Sequence, residues 1–396
     1  MEPSVTQAAS DTPSHTSPAD EATEFVVSRK DLLEELTQIQ GAVDRRTTVP
    51  ILSHILLQAS GNVLQLTATD LDISLRSACP AAVKKPGVCA VPARKLVDYV
   101  KLLPEGDLTI KTLENNWIQI RGGRSHTKMV ALPRRNFPRL PLFPRESAIA
   151  LDADVLRNLI AKTIFAISEE ESRYTLNGAL LLLKPQSITM VATDGHRLAQ
   201  VEYKKQTTPL IQENEIKILI PYKALSELAS LLMSSPVGQI QFARDNSTLF
   251  FVIGSRLLTS RQLTGTFPNY QAVLPRDYAN RVVLQREEFS LAIRRVAQFS
   301  DERSNAVRIR LGKDELKVSS SSVEIGESED TIQTTYSGDP TLIGFNSQYL
   351  LDFLKVVGSA SVRFEFKNAQ TAGELRPQEA DSGDCTYRYV VMPIRV

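Results

Sequence analysis

A chain that carries one pattern three times must build three similar bodies, and this constrains the fold more than any single motif. The segment Val91-Pro-Ala-Arg-Lys-Leu-Val-Asp-Tyr-Val-Lys-Leu-Leu103 recurs at Ile220-Pro-Tyr-Lys-Ala-Leu-Ser-Glu-Leu-Ala-Ser-Leu-Leu232 and at Phe345-Asn-Ser-Gln-Tyr-Leu-Leu-Asp-Phe-Leu-Lys-Val-Val357, at steps of 129 and 125 residues. Phe137-Pro138, Phe267-Pro268 and Met392-Pro393 keep that step to within one residue. A helix opens each unit, with apolar side chains at helical spacing: Leu32, Leu33, Leu36 and Ile39, then Val155, Leu156, Leu159 and Ile160, then Phe289, Ala292, Ile293 and Val296. The recurring segment reads as a second helix, with stripes Leu96, Val100, Leu103, then Leu225, Leu228, Leu232, then Leu350, Leu354, Val357. Each unit is therefore helix, strands, helix, strands: an α+β domain of about 125 residues, an ordinary size. Pro141-Leu-Phe-Pro144 and Leu274-Pro275 punctuate the chain, which predicts domains over 25–145, 146–275 and 276–396.

Residues 1–24 stand apart. They hold five acids (Glu2, Asp11, Asp20, Glu21, Glu24), no Lys or Arg, and no apolar core of a secretory signal, so they read as a disordered acidic tail. No apolar run approaches bilayer length, and the three scattered cysteines, Cys79, Cys89 and Cys385, suit a reducing cytoplasm. The net charge of +1 hides an asymmetry: residues 25–145 carry 18 basic and 10 acidic side chains, 146–275 carry 12 and 12, and 276–396 carry 16 and 18. Two readings follow: a solvated surface with random variation, or a positive first third that meets an acidic last third, on a second copy. Lys95, Lys101, Lys223 and Lys355 on the second helices, with Arg157, Lys162, Arg294 and Arg295 on the opening ones, are ordinary solvation taken singly. Facing one channel, they would hold a phosphate backbone without reading sequence.

The candidate chemistry sits mid-chain, in Ile188-Thr-Met-Val-Ala-Thr-Asp-Gly-His-Arg-Leu-Ala199. Near-alternation predicts a half-buried strand, and Asp194-Gly195 a tight turn in which Gly accepts positive φ. Asp194 beside His196 resembles a base and its orienter. However, Thr67-Ala-Thr-Asp70 repeats Val191-Ala-Thr-Asp194 without a His, which makes the motif structural first. Nothing signals a nucleophile or third group. The four histidines, His15, His54, His126 and His196, have no metal-ligand spacing, and neither phosphate-loop, dinucleotide nor nucleophile-elbow motifs occur, so no metal or cofactor is expected. Glu169-Glu-Glu171 reads as a solvated loop or, alternatively, a divalent-ion site. Two classes stay in view: a scaffold without catalysis, and an enzyme using Asp194 and His196.

Taken together, Val191-Ala-Thr-Asp-Gly-His-Arg-Leu198, Tyr174-Thr-Leu-Asn-Gly178, Phe267-Pro-Asn-Tyr270, Tyr336-Ser-Gly338, Gly344-Phe-Asn346 and Tyr389-Val-Val-Met-Pro-Ile-Arg-Val396 resemble the beta subunits of bacterial DNA polymerase III, the sliding-clamp family. Pro50-Ile-Leu52, Thr69-Asp70, Val91-Pro-Ala-Arg94, Leu103-Pro-Glu-Gly106 and Gly123-Arg124-Ser125 extend the match, in order, over about residues 25–396. The resemblance implies three repeated clamp domains and a head-to-tail homodimer, a ring with helices inside and sheets outside. That ring would encircle double-stranded DNA without reading its sequence and confer processivity without catalysis. Packed helices lie ~10 Å apart, so three domains with two helices each line ~60 Å, a hole of roughly 19 Å, whereas six give roughly 38 Å, enough for duplex and water.

Site residues carry over from the same resemblance. Short linear motifs of the DNA polymerase III catalytic subunit, the clamp loader, translesion polymerases and repair proteins would dock at Leu176, Thr193, Gly195, His196, Arg197, Leu198, Pro268, Val273, Asn346, Tyr349, Val390, Val391, Met392, Pro393, Ile394, Arg395 and Val396. The apolar members form a recess, Met adapts to varied ligands, and Arg197 and Asn346 offer polar contacts. Arg46 and Tyr174 match DNA-contacting positions. Arg124, Thr127, Met129, Phe299, Glu327 and Asp330 match the dimer joint, with Arg124 expected to face Asp330. The sequence departs from the family at Ala272, Ile394 and Val396, which bears on motif preference, and at Thr175, where a second aromatic can occur.

Overall fold

The computed structural model describes residues 23–44, 47–204, 215–379 and 384–395 of the 396-residue chain. Among them are six α-helices, two per repeat: α1 (Arg29–Ile39) and α2 (Ala93–Leu102), α3 (Ala153–Thr163) and α4 (Tyr222–Ser234), α5 (Arg286–Ala297) and α6 (Ser347–Val356). Local chemistry starts and stops them. Asp152 Oδ1 accepts the N–H groups of Asp154 and Val155 at 3.0 and 3.1 Å, and Asn346 Oδ1 those of Gln348 and Tyr349 at 2.9 and 3.4 Å, which satisfies donors that a helix start leaves open. Pro104 and Pro236 lie just beyond α2 and α4, where neither can continue a helix. Gly358, at φ +73°, ends α6 in the left-handed region. All nine stripe residues expected on the second helices are buried. Each such side chain taken from water contributes roughly 1.5–3 kcal/mol, which is why these helices hold although their intrinsic propensity is modest.

The chain divides into two compact units, one ending at Pro141 and one running from Leu142. The first holds the first repeat. Its antiparallel sheet runs Ala82–Lys85, Glu24–Ser28, Asp107–Thr112, Trp117–Gly122, Ser125–Val130, and a second set runs Ile73–Pro80, Val63–Thr69, His54–Ser60, Gly87–Pro92. Thr23 is buried and bonded to Thr112, and Glu24 opens a strand, so the fold begins two residues earlier than the tail expected over 1–24 allows. Residues 1–22 of that tail lie outside the described residues.

The second unit holds the other two repeats, and one sheet explains why they are inseparable. Its order is Ile216–Pro221, Gly178–Lys184, Ser187–Thr193, Arg197–Tyr203, Cys385–Val391, Gly373–Pro377, Ser361–Phe366, Asn280–Gln285. At its middle, Arg197–Tyr203 of the second repeat pairs along its whole length with Cys385–Val391 of the third. A four-stranded sheet, Gly326–Gln333, Glu315–Ser322, Ala306–Gly312, Thr341–Asn346, completes the third repeat, and the set Ile149–Asp152, Gln239–Arg244, Thr248–Ile253, Arg256–Arg261 completes the second.

The strand Ser187–Thr193 is buried at every position rather than half-buried as its alternation suggests. Helix α3 packs on one face. On the other, Val191 joins a cluster of Leu180, Leu182, Leu198, Leu219, Leu263, Phe267 and Val390. Alternation therefore sorts residues between two dry faces here, not between core and water.

Candidate docking site

The segment from Thr193 to Arg197 builds itself into a turn. Thr193 Oγ1 donates to the Arg197 carbonyl at 2.6 Å and accepts the Gly195 N–H at 3.1 Å, while Asp194 Oδ1 accepts the N–H groups of His196 and Arg197, both at 2.9 Å. The first repeat makes the same bonds. Thr69 Oγ1 donates to Ile73 at 2.7 Å and accepts from Leu71 at 3.0 Å, and Asp70 Oδ1 accepts from Asp72 and Ile73 at 3.0 and 2.8 Å. Thr-Asp is thus a turn-forming pair in both repeats. The position after Asp has φ +89° at Gly195 and +80° at Leu71.

The His-Arg-Leu that follows one copy only is what makes a site. Leu198 enters the buried cluster. The His196 carbonyl accepts the Met392 N–H at 2.9 Å, and Ile394 N–H donates to Gly344 at 2.9 Å, so the chain's last strand leads into a segment held against the turn. The result is a recess of about 130 Å³ lined by Leu176, Thr193, Gly195, His196, Arg197, Leu198, Pro268, Tyr270, Val273, Val390 and Met392. Val273 and Met392 remain 47% and 42% exposed, so the apolar wall is open to a ligand.

Ten of the expected residues line this recess. Tyr270 was missed; it lies in the Phe267-Pro-Asn-Tyr270 turn whose Pro268 was singled out, and that adjacency was the available signal. Val391 is buried beneath, on the last strand. Asn346 is committed elsewhere: it caps α6 and donates to the Ser304 carbonyl at 3.3 Å. Pro393 and Ile394 are half-buried, Arg395 is exposed, and Val396 lies outside the described residues.

Arg197 also turns inward instead of presenting its charge. Nε bonds Asp194 Oδ2 at 2.9 Å, Nη1 bonds Asp352 at 2.5 Å, and Nη2 bonds the Phe165 carbonyl at 2.6 Å. The guanidinium lies 4.4 Å from the Tyr349 ring centroid and 5.5 Å from that of Phe165. Burial disfavours its charge, but Tyr389, Asp352 and Asp194 more than compensate, and its pKa is raised. Asp194 thereby spends one oxygen on the turn and the other on Arg197, which leaves the His196 ring without the orienter a catalytic base needs.

The remaining expected residues lie elsewhere. Tyr174 is 52% exposed in a short turn before the recess, and Arg46 lies outside the described residues. Thr127 and Met129 lie on Ser125–Val130, an edge strand of the first unit, and Arg124 is exposed just before it. Glu327 and Asp330 lie on Gly326–Gln333, an edge strand of the second unit, with Phe299 half-buried after α5. Asp330 is paired within its own chain, to Arg295 at 2.5 Å.

Repeated α+β bodies, an open apolar recess and an Asp194 engaged by its own turn and by Arg197 are the features of a scaffold with a candidate docking recess. Family models place that scaffold. The N-terminal, central and C-terminal domains of the DNA polymerase III beta subunit match residues 23–141, 150–269 and 271–395. A beta sliding clamp of Pseudomonas putida is 35% identical over 376 residues, which cover 94% of this chain and all of the relative. Crystal structures of the sliding clamps of Pseudomonas aeruginosa and Bartonella birtlesii, both bound to griselimycin, superpose with TM-scores of 0.87 and 0.89 at 34% and 33% identity, each over 95% of this chain and 100% of theirs. The chain belongs to the DNA polymerase III beta subunit family, the bacterial sliding clamps. Its function is that family's: a processivity subunit without catalysis that forms a dimer, binds DNA, and tethers polymerases and other proteins.

Proposed function

We propose that the recess beside His196 is where this clamp takes the short linear motifs of its partners: the replicative polymerase, the clamp loader, translesion polymerases and repair proteins. The observation that carries this is the pairing of an open apolar wall with a rigid frame. Leu176, Leu198, Val273 and Met392 supply the wall, and the Thr193–Arg197 turn, pinned by Asp194 and Asp352, holds it in place. A preformed pocket spares a binding peptide the cost of ordering its receptor. Arg197 acts here as a positioning residue, its polar atoms facing inward.

The other assignments complete this reading. Three domains, 25–145, 146–275 and 276–396, each supply two helices. The exposed edge strands Ser125–Val130 and Gly326–Gln333 are templates for another chain, so they join head to tail between two copies, with Met129 and Phe299 giving apolar burial. Arg46 and Tyr174 touch the DNA. The working compartment is the cytoplasm, where the chromosome is copied.

The test is calorimetry with a Gln-Leu-x-Leu-Phe-type peptide on the intact chain, on Leu198→Asp, and on a chain lacking Met392 to Val396. A buried Leu or Phe contributes roughly 1.5–3 kcal/mol, so either change lowers affinity at least about tenfold. Sedimentation of the same variants still reports a dimer, because the edge strands are untouched. Unchanged peptide affinity would remove the motif site from this recess.

A further inference from the structure

A second cavity lies elsewhere, within the first unit: a groove of about 860 Å³ whose lining includes Lys111, Leu113, Trp117, Lys128 and Leu132. Trp117 is the chain's only tryptophan and is 40% exposed there. Lys111, Gln119 and Lys128 are neighbours in one row across the sheet, and among the described residues neither ammonium group has an ion-pair partner. Glu114 is the single carboxylate in the lining.

The strand Glu24–Ser28 runs antiparallel to Asp107–Thr112, with Glu24 opposite Lys111. One step on, Thr23 N–H donates to Thr112 Oγ1 at 2.6 Å and Thr112 N–H to the Thr23 carbonyl at 2.9 Å. Traced back towards the N-terminus, the chain is therefore aimed at Leu113 and the groove. The 22 residues before Thr23 carry four carboxylates, Glu2, Asp11, Asp20 and Glu21, no Lys or Arg, and prolines at 3, 13 and 18. Pro18 is five residues from Thr23, a reach of roughly 17 Å when extended. The acids of this segment complement the two lysines of the groove, and its prolines suit an exposed indole, the pairing by which aromatic grooves hold proline-containing segments. The N-terminal family model begins at residue 23, so this segment lies outside the family match.

We infer that the groove beside Trp117 is the seat of the chain's own N-terminal segment, with Pro18 on the indole and Asp20 and Glu21 towards Lys111 and Lys128. The tether makes this contact effectively intramolecular, so a weak interaction suffices. Its electrostatic part weakens with salt.

The lone tryptophan reports directly. Emission and acrylamide quenching are compared in the full chain, in a chain starting at Thr23, and in full-length Lys111→Glu/Lys128→Glu, with far-ultraviolet circular dichroism checking that each is folded. Truncation and the double substitution should both shift emission to the red and raise quenching. Asp20→Lys/Glu21→Lys should do the same alone and restore protection when combined with the groove substitutions. A peptide of residues 1–22, added to the truncated chain at about millimolar concentration to match a tether, should restore it in trans. Equal emission and quenching in the full and truncated chains would overturn the proposal. So would protection that follows protein concentration instead of the presence of residues 1–22, which would assign the groove to a second copy.

Discussion

Leu71 and Gly195 show how one turn tolerates different residues at different cost. Both hold positive φ, but only Gly does so without steric penalty. Leu71 is half exposed and gives up little burial. Leu71→Gly is therefore expected to stabilise the protein by about 1 kcal/mol, the left-handed penalty of a side chain, read as a higher urea midpoint. A second residue sets the acid limit. Glu374 is fully buried, bonded to Arg376 at 2.5 Å, to Arg388 at 2.7 and 2.8 Å, and to the Tyr278 hydroxyl. Burial alone would raise its pKa, but the bonds from Arg388, Arg376 and Tyr278 hold it below the ordinary 4.5. The unfolded chain thus takes up the proton first as pH falls. The contribution of Glu374 to stability is complete above about pH 4.5 and is lost as pH drops through the folded pKa. Glu374→Gln should cost about 3 kcal/mol at neutral pH, since it leaves the part-buried Arg388 without its carboxylate and Arg376 with only Glu365 at 3.8 Å, and should flatten the loss of urea stability on acidification. A variant with the same acid dependence as the parent would move that limit to other carboxylates.

At the scale of elements, the edge strands carry the strongest expectation. Ser125–Val130 and Gly326–Gln333 leave ladder groups unpaired, and an exposed ion pair at such a joint is worth only ~0.2–1 kcal/mol. Apolar contact must dominate, more so because Asp330 is engaged by Arg295 in its own chain. Met129→Glu with Phe299→Glu should give monomers in sedimentation, whereas Arg124→Ala should leave the dimer intact; persistent dimers in the first pair would place the joint elsewhere. The helices were legible in the sequence because one apolar stripe at helical spacing decides them, three times over. The Thr-Asp turn was legible because it occurs twice. The strand Ser187–Thr193 was misread as half-buried because its second cover, Leu263 and Phe267, lies far along the chain. The inward commitment of Arg197 was hidden for the same reason: Asp352 is 155 residues away, and no local pattern announces it.

For the whole molecule, the proposed ring takes half of its lining from the three repeats of one chain, two helices each, and needs a second copy to close. Topology then replaces affinity. In that ring, Lys and Arg on the helices would need only to hold a phosphate backbone weakly, a hold that salt weakens further, while closure prevents escape. In the proposed function the recess at His196 takes the partners while ring closure holds the template, so partners can exchange on a ring that stays on DNA. The most direct measurement follows the dimer after loading onto nicked circular DNA and after linearisation of the same circle. The account predicts long retention on the circle, persisting at salt that abolishes ordinary DNA binding, and rapid loss once free ends exist. Equal retention on circle and linear DNA would contradict it, because a protein held by contacts alone does not distinguish the two.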